Sequence, residues 1–249
     1  LEAEARALNP GFIRRMESQI PFVRVKMASS LDGRTAMANG ESKWITGTES
    51  RKEVHRLRAM SGAIITGIGT VLADDPSLTV RLSEAQLDEM NLEADTCHPL
   101  RVVLDSNLSM PMTAKMLSAP GRTLIMTSKE VVERDTELVD ALIASGAELI
   151  AVASNEAHLD LASVLDYLGK EESINDVLVE SGALVAGSFI QSGFVSELHC
   201  FMAPILMGDA AKPLFVLPGI KSMDNKLMFD IDCIAQFGRD IRLILTPTD

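Results

Sequence analysis

From residue 22 to 28 apolar and polar side chains alternate, setting Phe22, Arg24, Lys26 and Ala28 on one face of an extended segment and Val23, Val25 and Met27 on the other. The pattern predicts a strand that buries its valine face and carries Lys26 on the half-polar one. From 49 to 60 the period lengthens. Val54, Leu57, Arg58 and Ser61 recur at spacings of three and four, predicting a helix whose inward stripe includes Arg58, with Arg51, Lys52 and Arg56 left as surface charges. Short apolar runs predict further strands at 63–66, 101–104, 123–127, 148–152, 176–179 and 197–203. Helical periodicity occupies 130–145, 159–168 and 184–191.

Strands and helices in alternation imply an α/β fold, a mixed and mostly parallel sheet flanked by helices. The alternation stops near the C-terminus, where 227–236 and 240–245 read as two strands around Phe237-Gly238-Arg239, an antiparallel C-terminal hairpin. Residues 83–99 hold five acids and little apolar periodicity, and read as a surface excursion. Residues 1–16 read as a helix interrupted at Asn9-Pro10-Gly11.

With 249 residues, 47% of them hydrophobic and 23% charged, the chain can bury a substantial core, most simply as one large domain. No apolar run approaches the roughly twenty residues of a membrane span, and the charged N-terminal residues are unlike a signal peptide, so the expected location is cytoplasmic. The chain opens on Leu1 rather than Met, as a fragment or processed product would. Cys97, Cys200 and Cys233 are widely spaced and form no CxxC pair, which gives neither a disulfide framework nor a cysteine zinc site. The neighbours Cys97-His98 and His199-Cys200 point to opposite faces of an extended segment, so no metal is expected there. A net charge of −12 argues against nucleic-acid binding, yet residues 1–60 hold 11 Lys and Arg against 7 Asp and Glu. That local excess suits a phosphate-bearing small molecule.

Candidate chemistry gathers where apolar segments stop. Lys26 to Arg34 ends the first strand in polar, glycine-bearing residues, and Ser42-Lys43-Trp44-Ile45-Thr46 follows with the only Trp of the chain. A lysine on such a face is ordinarily a solvated side chain, and an inward Arg58 needs an anion, which a protein carboxylate or a substrate phosphate could supply. Gly67-Ile68-Gly69 lies at a strand end where backbone can approach a phosphate, while Asp74-Asp75-Pro76 suits a turn. Arg81 adds a second cation. Glu180-Ser181-Gly182 sits where a strand gives way to a helix, the place at which open α/β sheets take nucleotides, although GxGxxG is absent and Gly182 and Gly187 also suit close packing. Thr127-Ser128-Lys129 is a candidate 2′-phosphate site.

Taken in order, KMASSLDGRTA, GESKWIT, GIGTVLADDPSLTVR, RVVLDS, VLVESGALVAGS and HCFMAPILMG resemble the reductase half of the bifunctional pyrimidine deaminase/reductase family of riboflavin biosynthesis, over nearly the whole chain. The resemblance implies a dihydrofolate-reductase-like fold, usually dimeric, that uses NADPH to reduce 5-amino-6-(5-phosphoribosylamino)uracil to 5-amino-6-(5-phosphoribitylamino)uracil, with hydride delivered to ribose C1 of the ring-opened imine. It places NADPH contacts on Ala28, Trp44, Thr70, Asp74 and Ser106, and on Gly182, Ala183, Leu184, Val185, Ala186, Gly187 and Ser188. Substrate contacts fall on Ser42, Arg58, Leu78, Arg81 and Glu180. Arg58 and Arg81 would hold the phosphate. Lys26 would polarise oxygen and Glu180 would stabilise the iminium charge, with Asp74 a further acid/base or cofactor-orienting group.

In this family the reductase commonly follows a zinc deaminase domain with H-x-E and P-C-x-x-C motifs, and neither motif occurs in this sequence. Residues 1–20 resemble the joining segment and 21–249 the reductase domain, so no deaminase activity is expected of these residues. The rival readings are a related dihydrofolate or pteridine reductase, which would not need Arg58 and Arg81 as a pair, and a non-catalytic nucleotide-binding module.

Overall fold

The computed structural model describes residues 2–93, 98–155 and 158–248. Its elements in chain order begin with α1 (Glu2–Leu8), α2 (Pro10–Ser18), β1 (Phe22–Ser30), β2 (Arg34–Ala36), α3 (Thr48–Ala59), β3 (Ala63–Gly67), α4 (Ile68–Asp74) and α5 (Glu84–Asp88). There follow β4 (Leu100–Leu104), α6 (Lys115–Ser118), β5 (Thr123–Ser128), α7 (Lys129–Arg134), α8 (Thr136–Ala144), β6 (Glu148–Val152), and the short β7 (Ser154–Asn155) and β8 (His158–Leu159). The last are α9 (Leu161–Lys170), β9 (Asp176–Glu180), α10 (Ala183–Gln191), β10 (Glu197–Ala203), β11 (Lys212–Pro213), β12 (Phe229–Phe237) and β13 (Asp240–Pro247). The result is the expected mixed α/β architecture. The chain divides into two compact units, residues 1–22 with 57–177 and residues 23–56 with 178–249. Among the described residues no helix is long and apolar enough to cross a membrane.

In the first unit β3, β4, β5 and β6 pair in parallel in that order, Thr66 standing opposite Val103 and Val103 opposite Ile125. Ile64, Ile65, Val102, Val103, Leu124 and Ile125 are fully buried, as continuous apolar runs in a parallel sheet with covered faces should be. Arg101 is buried among them at 2% exposure. Its guanidinium is satisfied without a carboxylate, donating to the carbonyls of Ala119, Pro120 and Gly121 and to the Thr123 hydroxyl.

Capping residues move three predicted boundaries. The helix expected over 130–145 is two, because Asp135 leaves helical geometry and its carboxylate accepts from the Leu138 N–H at 3.2 Å, opening α8. The helix expected at 159–168 starts at Leu161, since Asp160 caps it through Ala162 and Ser163 while Leu159 belongs to β8. The excursion 83–99 contains α5, which Ser83 and Gln86 close with a capping box and which buries Leu87; residues 94–97, Cys97 included, lie outside the described residues.

In the second unit the order is β12–β13–β10–β1, with β1 and β10 parallel and β13 antiparallel to both β10 and β12. Val23 and Val25 are fully buried, and the intervening residues of β1 are half-buried, as the alternation requires. The expected hairpin is present, with β12 starting two residues later than expected and β13 running two residues further, and it turns at Gly238, whose φ of +62° favours glycine and where a Cβ would lie 2.9 Å from Glu49 Oε2.

Candidate active site

The second unit carries Lys26 and Ala28 on the half-buried face of β1, and Glu180, 9% exposed, at the end of β9. Ser42 and Trp44 lie in the loop before α3, with Ser42 half-buried and Trp44 71% exposed. Arg51, expected as a plain surface charge, is instead the clamp of this loop. Its guanidinium lies 4.5 Å from the Trp44 ring centroid and donates to the Thr46 carbonyl at 2.6 Å and to the Thr48 hydroxyl at 3.1 Å. One α3 turn thus orients an indole that would otherwise be free to rotate in solvent.

Two carboxylates hold neighbouring loops, and neither was singled out from the sequence. Asp240 is 3% exposed and accepts from the Gly47 N–H and the Ser50 hydroxyl, each at 2.6 Å, which joins the hairpin to the start of α3. Asp32 accepts from the Ser30 hydroxyl and from the Met207 and Gly208 N–H groups. These bonds, that of Ser30 foremost, hold its carboxyl down at about 2. Asp32-Gly33 reads locally as a turn; its tie to residues 207–208 is long-range and leaves no local signal.

After β9, Gly182 is the extended N-cap of α10 and provides no side-chain acceptor for the first-turn N–H groups. An anion such as a pyrophosphate fits that helix start, where Gly182 and Leu184 are exposed and Ala183 and Val185 half-buried. Ala186 and Gly187 are buried, and Ser188 turns its hydroxyl back to the Leu184 carbonyl at 3.0 Å. Gly187 is glycine for packing, because a Cβ there would overlap the Val216 carbonyl oxygen.

The first unit carries Arg58, Leu78 and Arg81. Arg58 donates to the Thr79 carbonyl at 3.0 Å, so its guanidinium touches the segment that carries both Leu78 and Arg81. Leu78 buries its side chain and adopts a φ of +49°, so what this residue can offer a ligand is strained backbone rather than side chain. The segment 67–76 is the expected strand end followed at once by a helix: Gly67 is the extended N-cap of α4, and Asp75 ends that helix in the left-handed region. Thr70 and exposed Asp74 lie one turn apart on α4, sharing a face. Asp75 accepts from the Lys115 N–H at 2.9 Å and pairs with its ammonium at 3.2 Å, which together hold its carboxyl below the usual range.

Ser106 follows β4 and meets the end of β5, where the Ser128 hydroxyl donates to its carbonyl at 3.4 Å. Ser106, Ser128 and Lys129 therefore share the C-terminal end of two adjacent parallel strands, where nucleotides are bound in open sheets. Buried Asp105 shapes the turn beside them by accepting from the Met110 N–H at 2.8 Å.

The chain is 38% identical over 245 residues to the riboflavin biosynthesis protein RibD of Escherichia coli, covering 98% of this chain and 64% of that protein. It is 32% identical over 213 residues to a Buchnera aphidicola protein named 5-amino-6-(5-phosphoribosylamino)uracil reductase, covering 85% of this chain and 99% of that one. The solved structure of Acinetobacter baumannii RibD superposes with a TM-score of 0.83 at 40% identity, over 98% of this chain and 63% of that one. The profile of the family described as the RibD C-terminal domain matches residues 21–243, and the chain belongs to that family.

Proposed function

We propose that this chain is an NADPH-dependent reductase that converts 5-amino-6-(5-phosphoribosylamino)uracil to 5-amino-6-(5-phosphoribitylamino)uracil. The observation that carries the reading is coverage: a relative named for this reductase is matched over 99% of its own length by this chain. The longer RibD relatives extend beyond it, in keeping with a separate deaminase domain in the full-length protein. The Arg58 contact with the Leu78–Arg81 segment supports a phosphate cradle, since a bidentate guanidinium and a second cation suit a phosphomonoester.

NADPH, when bound, supplies the hydride. The α10 start would hold its pyrophosphate, and Ser128 and Lys129 its 2′-phosphate. The ammonium of Lys26 would hydrogen-bond and polarise the ribose ring oxygen, which takes its proton from water as the C1–O bond opens to the iminium, so Lys26 remains an ammonium. The Glu180 carboxylate stabilises that cation, and hydride addition at C1 then discharges it. Asp74 orients the cofactor. The chain acts as a homodimer in this reading, supported by the number of large apolar side chains exposed on and before the β12–β13 hairpin, Leu227, Met228, Ile231, Ile234 and Ile241.

The test follows NADPH oxidation with the phosphoribosylaminopyrimidine, beside dihydrofolate and NADH. Oxidation of NADPH with the pyrimidine alone is expected; turnover of dihydrofolate in its place, or cofactor binding without turnover, would overturn the assignment. Glu180→Gln is expected to lower kcat at least about tenfold with little change in NADPH affinity, and equal turnover would remove the charge role.

A further inference from the structure

Of a polar row on the second unit's sheet these assignments use only Lys26. On β1 and β10, Arg24 stands opposite Glu197 and Lys26 opposite His199, and paired positions of neighbouring strands send their side chains to the same face. Glu197 Oε2 accepts from Arg24 Nε at 2.9 Å and lies 3.0 Å from His199 Nε2. Burial pushes the Glu197 carboxyl up, but the His199 hydrogen bond and the Arg24 charge outweigh it and hold the group below the usual range. An ionised Glu197 can only accept, so His199 Nε2 carries the hydrogen, and the tautomer with its hydrogen there has its lone pair at Nδ1.

That Nδ1 is buried and has no hydrogen-bond partner, in a side chain 4% exposed. A buried acceptor is rarely left so. Its neighbour on β13 is Ile244, which has nothing to donate; its neighbour on β1 is Lys26.

We propose that His199, fixed by Glu197 and Arg24, is a positioning residue for Lys26, its Nδ1 accepting from the Lys26 ammonium and keeping that group protonated and aimed. The role assigned to Lys26 rests on the reductase reading above. Arg24, Glu197, His199 and Lys26 then form one chain of charge-assisted contacts, with the cation that meets the substrate at its end. Nothing is transferred along it: the row sets where the ammonium sits and that it stays an ammonium.

The experiment compares His199→Leu and His199→Gln in the whole chain. Leucine removes both ring contacts, whereas the glutamine amide can donate to Glu197 and turn its carbonyl oxygen to Lys26. His199→Leu is expected to lower kcat about tenfold while the NADPH dissociation constant, read from Trp44 fluorescence, stays within about twofold; His199→Gln recovers most of the loss. A second readout needs no turnover: acylation of Lys26 by an amine-reactive ester at mildly alkaline pH, followed by peptide mass, is expected to run at least about threefold faster in His199→Leu and at the parent rate in His199→Gln. Unchanged kcat and labelling in His199→Leu, or a folded His199→Gln as impaired as the leucine variant, would overturn the proposal. If His199→Leu does not fold, Glu197→Gln takes its place, with faster Lys26 labelling expected and an unchanged rate overturning. Inactivity of the parent chain on the pyrimidine would sink the reductase reading, and the labelling ratio would still decide this one.

Discussion

Asp240→Ala tests how the Trp44 loop is held. The carboxylate is 3% exposed and its Oδ2 accepts two hydrogen bonds at 2.6 Å, from the Gly47 N–H and the Ser50 hydroxyl. Hydrogen bonds to a charged group contribute about 1.5–3 kcal/mol each, and alanine would also strand the Ser50 hydroxyl, itself fully buried. Relief from burying a charge offsets part of this, leaving an expected loss of about 3 kcal/mol. For a chain of this length that corresponds to a fall in Tm of about 6–12 °C. Urea unfolding followed by Trp44 fluorescence reports the loop directly, because the sequence has one Trp, and far-UV circular dichroism reports the whole. Transitions that separate in the variant would show the two units melting apart. A loss below about 1 kcal/mol would defeat this account of the loop, since it would mean that water replaces both bonds without penalty.

Gly187→Ala should destabilise by about 2 kcal/mol or more, because its Cβ would overlap a backbone carbonyl at Val216 that no side-chain rotation can move; a Tm within about a degree of the parent would count against it. Asp32 has a folded pKa of about 2, below its ordinary value of 3.8, so its contribution is complete above about pH 5 and lost as pH falls through the folded value. The stability gap between the parent and Asp32→Asn should therefore be flat near neutrality and close between about pH 4 and 2, and a gap that widens on acidification would contradict the assignment. Trp44 should emit like an exposed indole and be quenched on titration with NADPH, and Arg51→Ala should weaken that quenching by loosening the ring. Quenching unchanged in Arg51→Ala would show that the stacked guanidinium does not set the indole's orientation.

Much of this protein is legible in one dimension. The 2.0 period locates β1 and the 3.6 period α3 to within two residues, because each buries one face and the pattern of that burial is local, and short apolar runs locate β6 and β10. Candidate site residues are legible for a related reason: Glu180, Ser106 and the start of α10 stand at or beside strand ends, where an apolar run breaks into polar residues, whereas Lys26 lies in the middle of β1 and is marked only by its place on the half-polar face. The helix starts set by Asp135 and Asp160 escape periodicity although the caps are local, because the hydrophobic period runs on through both residues and only their capping chemistry marks the break.

The order of elements, the family and the residue types that stand at the strand ends are all properties of the chain read on its own. Which of those residues meet is settled only by the folded arrangement. Arg58 reaches the Leu78–Arg81 segment across 21 positions, Asp240 clamps Gly47 and Ser50 from the far end of the chain, and Glu197 draws Arg24 and His199 into one row. Such pairings carry no periodic signature, because a hydrogen bond depends on through-space distance and orientation, and these are fixed by strand register and loop path rather than by spacing along the chain.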